Sequence, residues 1–358
     1  MASFHLSKPE IHRILVVKPR AIGDVLLSTP VLPNLREEFP DARIDFLVEK
    51  FAAGVLTGNP YVDETISYDT KTQTSLSIIR RVRKNSYDLI IDLFANPRTA
   101  IITLLSGAKY KVGFPFKWRR FAYNILVSPR SGVVHNVEFN LDALRRLELQ
   151  VKSTNPLFYL DNDSRHFAAE FASRNSLKAN EFITMNIGGG WQTKRWSAKN
   201  FGALSKMISS RLGIPVVVLY GPSEAKEAEF IANTTGTTLA PPTSLHEMGA
   251  IMRSSLLLVT NDSGPMHIAA ALGVPTLALF GPTSPHLQGP YGNISVVVRN
   301  EALDCLECNL TNCPIGKLCM TELLPETVFE SLLILIAKIQ NVSQPVKDKV
   351  NEKARKIQ

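Results

Sequence analysis

Three turns in this 358-residue chain combine residue types suited to gripping phosphate and moving a proton. The first, Lys18-Pro19-Arg20-Ala21-Ile22-Gly23-Asp24, follows an apolar run and leads into a helical pattern. Gly23 permits a tight turn, and an aspartate at that point can cap the helix or accept a proton from a hydroxyl. Position alone leaves both roles open. The second turn is Gly188-Gly189-Gly190-Trp191-Gln192-Thr193-Lys194-Arg195-Trp196. Its glycines let the backbone approach a ligand, and its adjacent cations can face phosphate oxygens. The spacing is neither that of a P-loop nor G-x-G-x-x-G. The third is Thr260-Asn261-Asp262-Ser263-Gly264-Pro265-Met266-His267. Backbone N–H groups opening a helix there would suit an anion, and Pro265 suits a first helical position. Phe280-Gly281-Pro282-Thr283 follows the next apolar run and is expected beside it. Two anion-suited turns in one half make that half the nucleotide side.

Turns of this kind act only if strands and helices hold them. Ile14–Val17, Ile44–Val48, Leu89–Leu93, Ile183–Ile187, Val216–Tyr220, Leu256–Thr260 and Pro275–Phe280 read as strands buried on both faces. Amphipathic stretches such as Ser75–Lys84, Val137–Leu149, Ala198–Leu212 and Pro265–Leu272 lie between them. Pro30 and Pro33 are expected to interrupt the helix after Asp24. This alternation predicts an α/β chain with parallel sheets covered by helices. The pattern weakens over 125–165 and restarts at Phe182, so two doubly wound domains are expected, facing a central cleft. The expected bounds are 1–163 and 164–324, then a helix over 325–340 and a frayed basic tail over 341–358. Ligands of such sheets bind at the carboxyl ends of the strands.

Composition narrows the classes. Apolar residues are 45% and charged residues 20%, which excludes a largely disordered chain. Lys and Arg number 40 against 32 Asp and Glu, an excess of +8 that permits an anionic partner. No apolar run reaches the roughly 18 residues that span a bilayer, and 1–18 has no signal-peptide pattern, so a cytoplasmic location is expected. Lys109, Lys111, Lys117, Arg119, Arg120 and Arg130 occur without an intervening acid and interleave with Phe114, Phe116, Trp118, Phe121 and Tyr123. This stretch suits a phosphorylated lipid, an acidic sugar or nucleic acid equally, or is plain surface. Cys305, Cys308, Cys313 and Cys319 could hold a metal, pair as disulfides or stay reduced. Asp161-Asn162-Asp163 has a D-x-D form but falls in the expected connection, and is read as a turn.

Taken together the turns resemble the lipopolysaccharide heptosyltransferases of glycosyltransferase family 9. Ile22-Gly23-Asp24-Val25-Leu26-Leu27-Ser28-Thr29-Pro30, Lys194-Arg195-Trp196 and Asn261-Asp262-Ser263-Gly264-Pro265-Met266-His267 carry the likeness. His135-Asn136-Val137-Glu138 and the cysteine segment with Pro314-Ile315-Gly316 add to it. The resemblance implies a GT-B enzyme, with two Rossmann-like domains, acceptor on the first and ADP-sugar on the second. It implies Asp24 as catalytic base. Thr193, Lys194, Asp262, Ser263, Gly264 and His267 would hold the donor phosphates, and Glu224 the ribose. Arg20, Lys117, Arg119, Arg120 and His135 would meet the acceptor, an acidic Kdo–lipid A core on the cytoplasmic face of the inner membrane. The donor would be ADP-heptose, with no metal and no further cofactor.

The resemblance also admits a family-9 transferase with another sugar or acceptor. A non-catalytic sugar-nucleotide binder would have no use for Asp24, and a nucleic-acid binder would lean on 80–120 without any reader motif. No nucleic-acid partner is expected, and the sequence does not set the oligomeric state.

Overall fold

In a computed structural model, residues 7–69, 71–128 and 130–355 are described, Trp118 and residues 342–355 by their backbone alone. The alternating pattern resolves into two six-stranded sheets in which all strand pairings are parallel. The chain divides into two compact units, Met1–Tyr159 and Leu160–Gln358.

The first unit contains β1 (Arg13–Val17), β2 (Arg43–Glu49), β3 (Glu64–Tyr68), β4 (Leu89–Asp92), β5 (Tyr110–Gly113) and β6 (Ile125–Leu126), in the order β3-β2-β1-β4-β5-β6. Its helices are α1 (Ile22–Leu26), α2 (Val31–Glu38), α3 (Ser75–Lys84), α4 (Pro97–Leu104) and α5 (Asn136–Arg146). Ile14 to Val17 are fully buried, because helices cover both faces of a central strand. The expected interruption by proline is a full break between α1 and α2. Ser28 and Thr29 hydroxyls donate to the Val25 and Leu26 carbonyls, each at 2.7 Å, and close the end of α1. Pro30 caps α2 and Pro33 sits in its first turn, where a backbone N–H has no intrahelical acceptor to lose.

The second unit contains β7 (Ile183–Asn186), β8 (Val216–Leu219), β9 (Thr238–Leu239), β10 (Leu257–Asn261), β11 (Thr276–Leu279) and β12 (Ser295–Val298), in the order β12-β11-β10-β7-β8-β9. Its helices are α6 (Asn162–Arg174), α7 (Ala198–Leu212), α8 (Ala225–Thr235), α9 (Leu245–Ser254), α10 (Gly264–Ala271), α11 (Pro285–Gln288), α12 (Leu318–Thr321) and α13 (Pro325–Arg355). Ser197 Oγ accepts the Asn200 N–H to start α7, and Gly213, at φ 67°, ends it in the left-handed region that glycine enters without strain.

Two expectations are corrected. Asp161-Asn162-Asp163 is not a free turn: Asp161 caps α6, accepting the Ser164 N–H at 2.7 Å, as a short carboxylate at an N-terminus does. The backbone beyond 340 is also helical, with α13 running to Arg355. Residues 346–355 are dominated by good helix formers. The end of the expected tail, 356–358, lies outside the described residues. The first turns of α13 belong to the second unit's core through Val328, Leu332 and Leu335. Among the described residues, no helix is long and apolar enough to cross a membrane.

Candidate active site

In the second unit the phosphate-suited turns leave the carboxyl ends of three neighbouring strands, β7, β10 and β11, so sheet order alone brings them together. One buried side chain locks the glycine turn. Asn261 Nδ2 donates to the Ile187 and Gly188 carbonyls at 2.9 and 3.2 Å, and its Oδ1 accepts the Trp196 N–H at 3.0 Å. Both ends of the turn thus hang on the last residue of β10. Asn186, ending β7, donates to the Thr260 and Ser263 hydroxyls at 3.1 and 3.2 Å.

The two cations are held apart and aimed by separate carboxylates. Lys194 Nζ lies 2.7 Å from Asp262 Oδ2, which also accepts the Thr283 hydroxyl at 2.6 Å. Lys194 also stands 4.5 Å over the Trp191 ring. Arg195 Nε donates to the Gly189 carbonyl at 2.8 Å, and Nη2 pairs with Glu224 Oε1 at 2.6 Å. Glu224 is buried and takes the Gly221 N–H and the Ser223 hydroxyl as well. Ser263, in extended backbone, gives α10 no side-chain cap, and buried His267 sits one turn in. A helix start left uncapped in this way suits an anion. Thr193 is buried, and its hydroxyl donates to the Leu310 carbonyl at 2.9 Å.

That last bond shows what the cysteine segment does in the fold. Besides Leu310, Lys317 Nζ donates to the Gln192 carbonyl at 3.3 Å. Glu307 and Asn309 N–H donate to the Gly281 and Pro282 carbonyls at 3.2 and 2.7 Å. The segment therefore buttresses the turn that carries Lys194. Gly281 packs closely on the same segment: a Cβ there would stand 2.8 Å from Cys319 Sγ and Met320 Sδ, so those side chains would have to shift. All four cysteines are free thiols: Cys305 and Cys308 exposed, Cys313 half-buried and Cys319 buried. Among the described residues no group of three or more ligating side chains is gathered for a metal. Burial, then the neighbouring thiols Cys305, Cys308 and Cys313, push the Cys319 thiol up. Iodoacetamide at pH 8 is expected to label Cys305 and Cys308 well before Cys319, because they are exposed while Cys319 is buried with its thiol pushed up. Mass mapping of the labelled peptides checks this.

In the first unit Asp24 is the third residue of α1, not the cap itself. Its Oδ2 accepts the Ala21 N–H at 2.9 Å, which fixes the carboxyl beside the turn while leaving it partly exposed. Beneath lies buried Lys18, donating to the Leu93 carbonyl at 2.9 Å and Asn140 Oδ1 at 3.2 Å. Burial holds the Lys18 ammonium below the usual lysine range, and the charges of Asp24 and Asp92 oppose that shift. Asp92 is itself pushed up by burial, against hydrogen bonds from the Ala95 N–H and the Tyr123 hydroxyl. Asn140 also donates to the Leu27 carbonyl at 3.1 Å, tying α5 to the end of α1. The sequence offered little sign of Asn140; its one mark is a polar residue among Val137, Leu141 and Leu144 on the buried face of α5.

The basic-aromatic stretch is β5, a 3-10 turn over Lys117–Ala122, and β6. Arg119 lies 5.7 Å from the Phe116 ring and Arg120 5.8 Å from Phe121. Arg119 Nε is buried and, among the described residues, has no hydrogen-bond partner. The Trp118 side chain lies outside the described residues. His135 caps α5, Nδ1 accepting the Val137 N–H at 3.2 Å. Arg20, largely exposed, stands 3.8 Å from Glu49.

Asn261→Ala removes three hydrogen bonds at once and strands buried carbonyls and an N–H. We expect a loss of about 2–4 kcal/mol of stability, at about 1–3 kcal/mol per unsatisfied group, read from denaturant unfolding.

A family profile described as glycosyltransferase family 9 (heptosyltransferase) matches residues 75–319. Lipopolysaccharide heptosyltransferase 3 of Escherichia coli is 28% identical over 291 residues, covering 76% of this chain and 84% of the relative. Among solved structures, a family 9 glycosyl transferase from Veillonella parvula superposes with a TM-score of 0.79 at 26% identity, over 91% of this chain and 97% of that one. E. coli heptosyltransferase WaaC, solved with ADP, gives 0.71 at 20% identity over 90% and 99%, a likeness of fold. The fold is thus of the GT-B type that the turns suggested, and this chain belongs to glycosyltransferase family 9, the heptosyltransferase family.

Proposed function

We propose that this chain transfers a heptose from ADP-heptose to a hydroxyl of an acidic lipid A-core acceptor, inverting the anomeric centre. The observation that carries the reading is the pair of cations, Lys194 and Arg195, each fixed by its own carboxylate at the glycine turn. Sugar transfer from ADP builds negative charge on the departing diphosphate, and preorganised cations stabilise that charge most when they need not reorganise. The open start of α10 at Ser263 and Gly264 adds oriented N–H groups. No metal is needed in this scheme.

The first unit supplies the base. Asp24, partly exposed and held by the Ala21 N–H, takes the acceptor's proton as its oxygen attacks the anomeric carbon. Buried Glu224, already fixed by Arg195, presents the donor-ribose edge of the glycine turn. Arg20, Lys117, Arg119, Arg120 and His135 contact the acceptor, whose lipid would hold the enzyme at the cytoplasmic face of the inner membrane. The names of relatives support this choice of substrates: heptosyltransferase WaaC has been solved with ADP-2-deoxy-2-fluoro heptose.

The test is donor choice. Turnover on a Kdo–lipid A acceptor is expected with ADP-heptose and at most weakly with ADP-glucose or UDP-sugars. Preference for another donor would move the chain to a different branch of the family.

A further inference from the structure

The cysteine segment carries thiols that the transfer reaction does not use. Cys305 and Cys308 are exposed and spaced C-x-x-C across a turn over 304–307. Residues three apart in such a turn have Cα atoms within about 7 Å, and a disulfide spans about 4.4–6.8 Å. Leu303 and Leu306 pack against the second unit's core and hold the turn to the domain. The other two thiols are engaged differently. Cys319 is buried beside Gly281, where burial pushes its thiol up, and Cys313 Sγ accepts the Lys317 N–H at 3.3 Å.

Three backbone contacts tie the C-x-x-C turn to the diphosphate cations. Glu307, between the two cysteines, donates its N–H to the Gly281 carbonyl at 3.2 Å, and Asn309 donates to Pro282 at 2.7 Å. Next in that loop, the Thr283 hydroxyl donates to Asp262, the carboxylate that holds Lys194. The Leu310 carbonyl accepts the hydroxyl of Thr193, the residue before Lys194. Glu307 and Asn309 flank Cys308 at φ 60° and 56°, in the left-handed region that favours glycine. A bridge fixes the two Cβ atoms about 3.5–4.5 Å apart, with the dihedral about the S–S bond near a right angle. The backbone of 306–309 adjusts to that, and the Glu307 and Asn309 N–H groups move with it.

We infer that Cys305 and Cys308 are a reversible dithiol–disulfide pair, and that closing the bridge loosens the turn that carries Lys194. The oxidant is a peroxide. One thiolate attacks a peroxide oxygen: an S–O bond forms, the O–O bond breaks, and the departing hydroxide takes up a proton as water. The second thiol attacks the sulfenic sulfur, forming S–S, and the oxygen leaves as water with that thiol's proton. Two electrons pass from the sulfurs to the peroxide oxygens, and a dithiol reductant returns them. A reversible bridge suits the proposed cytoplasmic setting, where the disulfides that form are mostly transient and redox-sensing. The expected effect on ADP rests on the proposed donor role of Lys194.

The test treats the full chain with hydrogen peroxide, quenches with catalase, blocks free thiols and maps the peptides by mass. Wild type is expected to give a peptide bridged from Cys305 to Cys308, reversed by dithiothreitol. In the oxidised protein hydrogen exchange should speed up over 188–196, and the Kd for ADP should rise by about tenfold. Cys305→Ser/Cys308→Ser is expected to match reduced wild type in ADP affinity and to ignore peroxide. Cys308→Ser alone should stop at a sulfenic acid on Cys305 that dimedone captures. A bridge through Cys313 or Cys319, no bridge at all, or a bridge that leaves exchange over 188–196 unchanged would each overturn the inference. So would zinc or iron bound tightly enough to keep both thiols from peroxide. If reduced wild type fails to bind ADP, or the bridged protein exchanges faster with its ADP affinity unchanged, the donor role of Lys194 fails and the bridge and exchange rates still decide the thiol pair.

Discussion

Asp24→Ala is expected to lower kcat by about 10³-fold, about 4 kcal/mol of transition-state stabilisation, while leaving donor affinity within about a factor of two. The asymmetry follows from placement: Asp24 belongs to the first unit, and the residues assigned to the diphosphate all belong to the second. Among the described residues its carboxylate accepts one hydrogen bond, from the Ala21 N–H, so Asp24→Asn should keep the helix start yet lose the proton acceptor. Asn and Ala variants are therefore expected to be equally slow and unequally stable. If Asp24→Asn retained wild-type kcat, the residue would serve only to hold the start of α1 through the Ala21 N–H. Calorimetric ADP binding alongside steady-state turnover separates the cases.

Lys194→Ala should cost about 10²–10³-fold in kcat/KM, as expected for loss of one preorganised charge at a leaving group. It has a second effect that the aspartate variant lacks. Asp262 is nearly fully buried, and without Lys194 its carboxylate keeps the Thr283 hydroxyl but no counter-charge. Breaking a buried pair by removing one partner costs about 3–5 kcal/mol of stability, whereas neutralising both is far milder. Lys194→Met/Asp262→Asn is accordingly expected to recover most of the stability and none of the activity. Recovery of activity together with stability would make Lys194 a structural ion-pair residue.

Both assignments began as residue types in turns, and their legibility differed for physical reasons. The inner strands were visible because helices cover them on both faces, which leaves unbroken apolar runs such as Ile14–Val17 and Leu257–Val259. The outer strands β3, β5, β6, β9 and β12 escaped notice. An edge strand is partly exposed, as in β9, whose two residues are both half-buried, and its sequence need not be apolar; β5, second from its edge, is short and carries Lys111, which breaks its apolar run. Asp24, Lys194 and Asp262 could be picked out because strand-to-helix junctions of a parallel sheet gather at one edge.

Partnerships across the sequence could not be read. Nothing near Lys18 announces that Asn140, more than a hundred residues later, will bind its ammonium. Nothing in the cysteine spacing shows that the segment's backbone, through Leu310, grips Thr193. Such contacts depend on which loops the sheet order makes neighbours, and one-dimensional periodicity does not encode that order.

The central claim is that cations of the second unit and a carboxylate of the first serve one transfer reaction. It is tested most directly by following ADP release from ADP-heptose by the full chain, with and without a Kdo–lipid A acceptor. The account predicts release only when acceptor is present, one ADP for each heptosylated product, and an inverted anomeric configuration by proton NMR. Release at the same rate without acceptor, or a product that retains the donor's configuration, would contradict it.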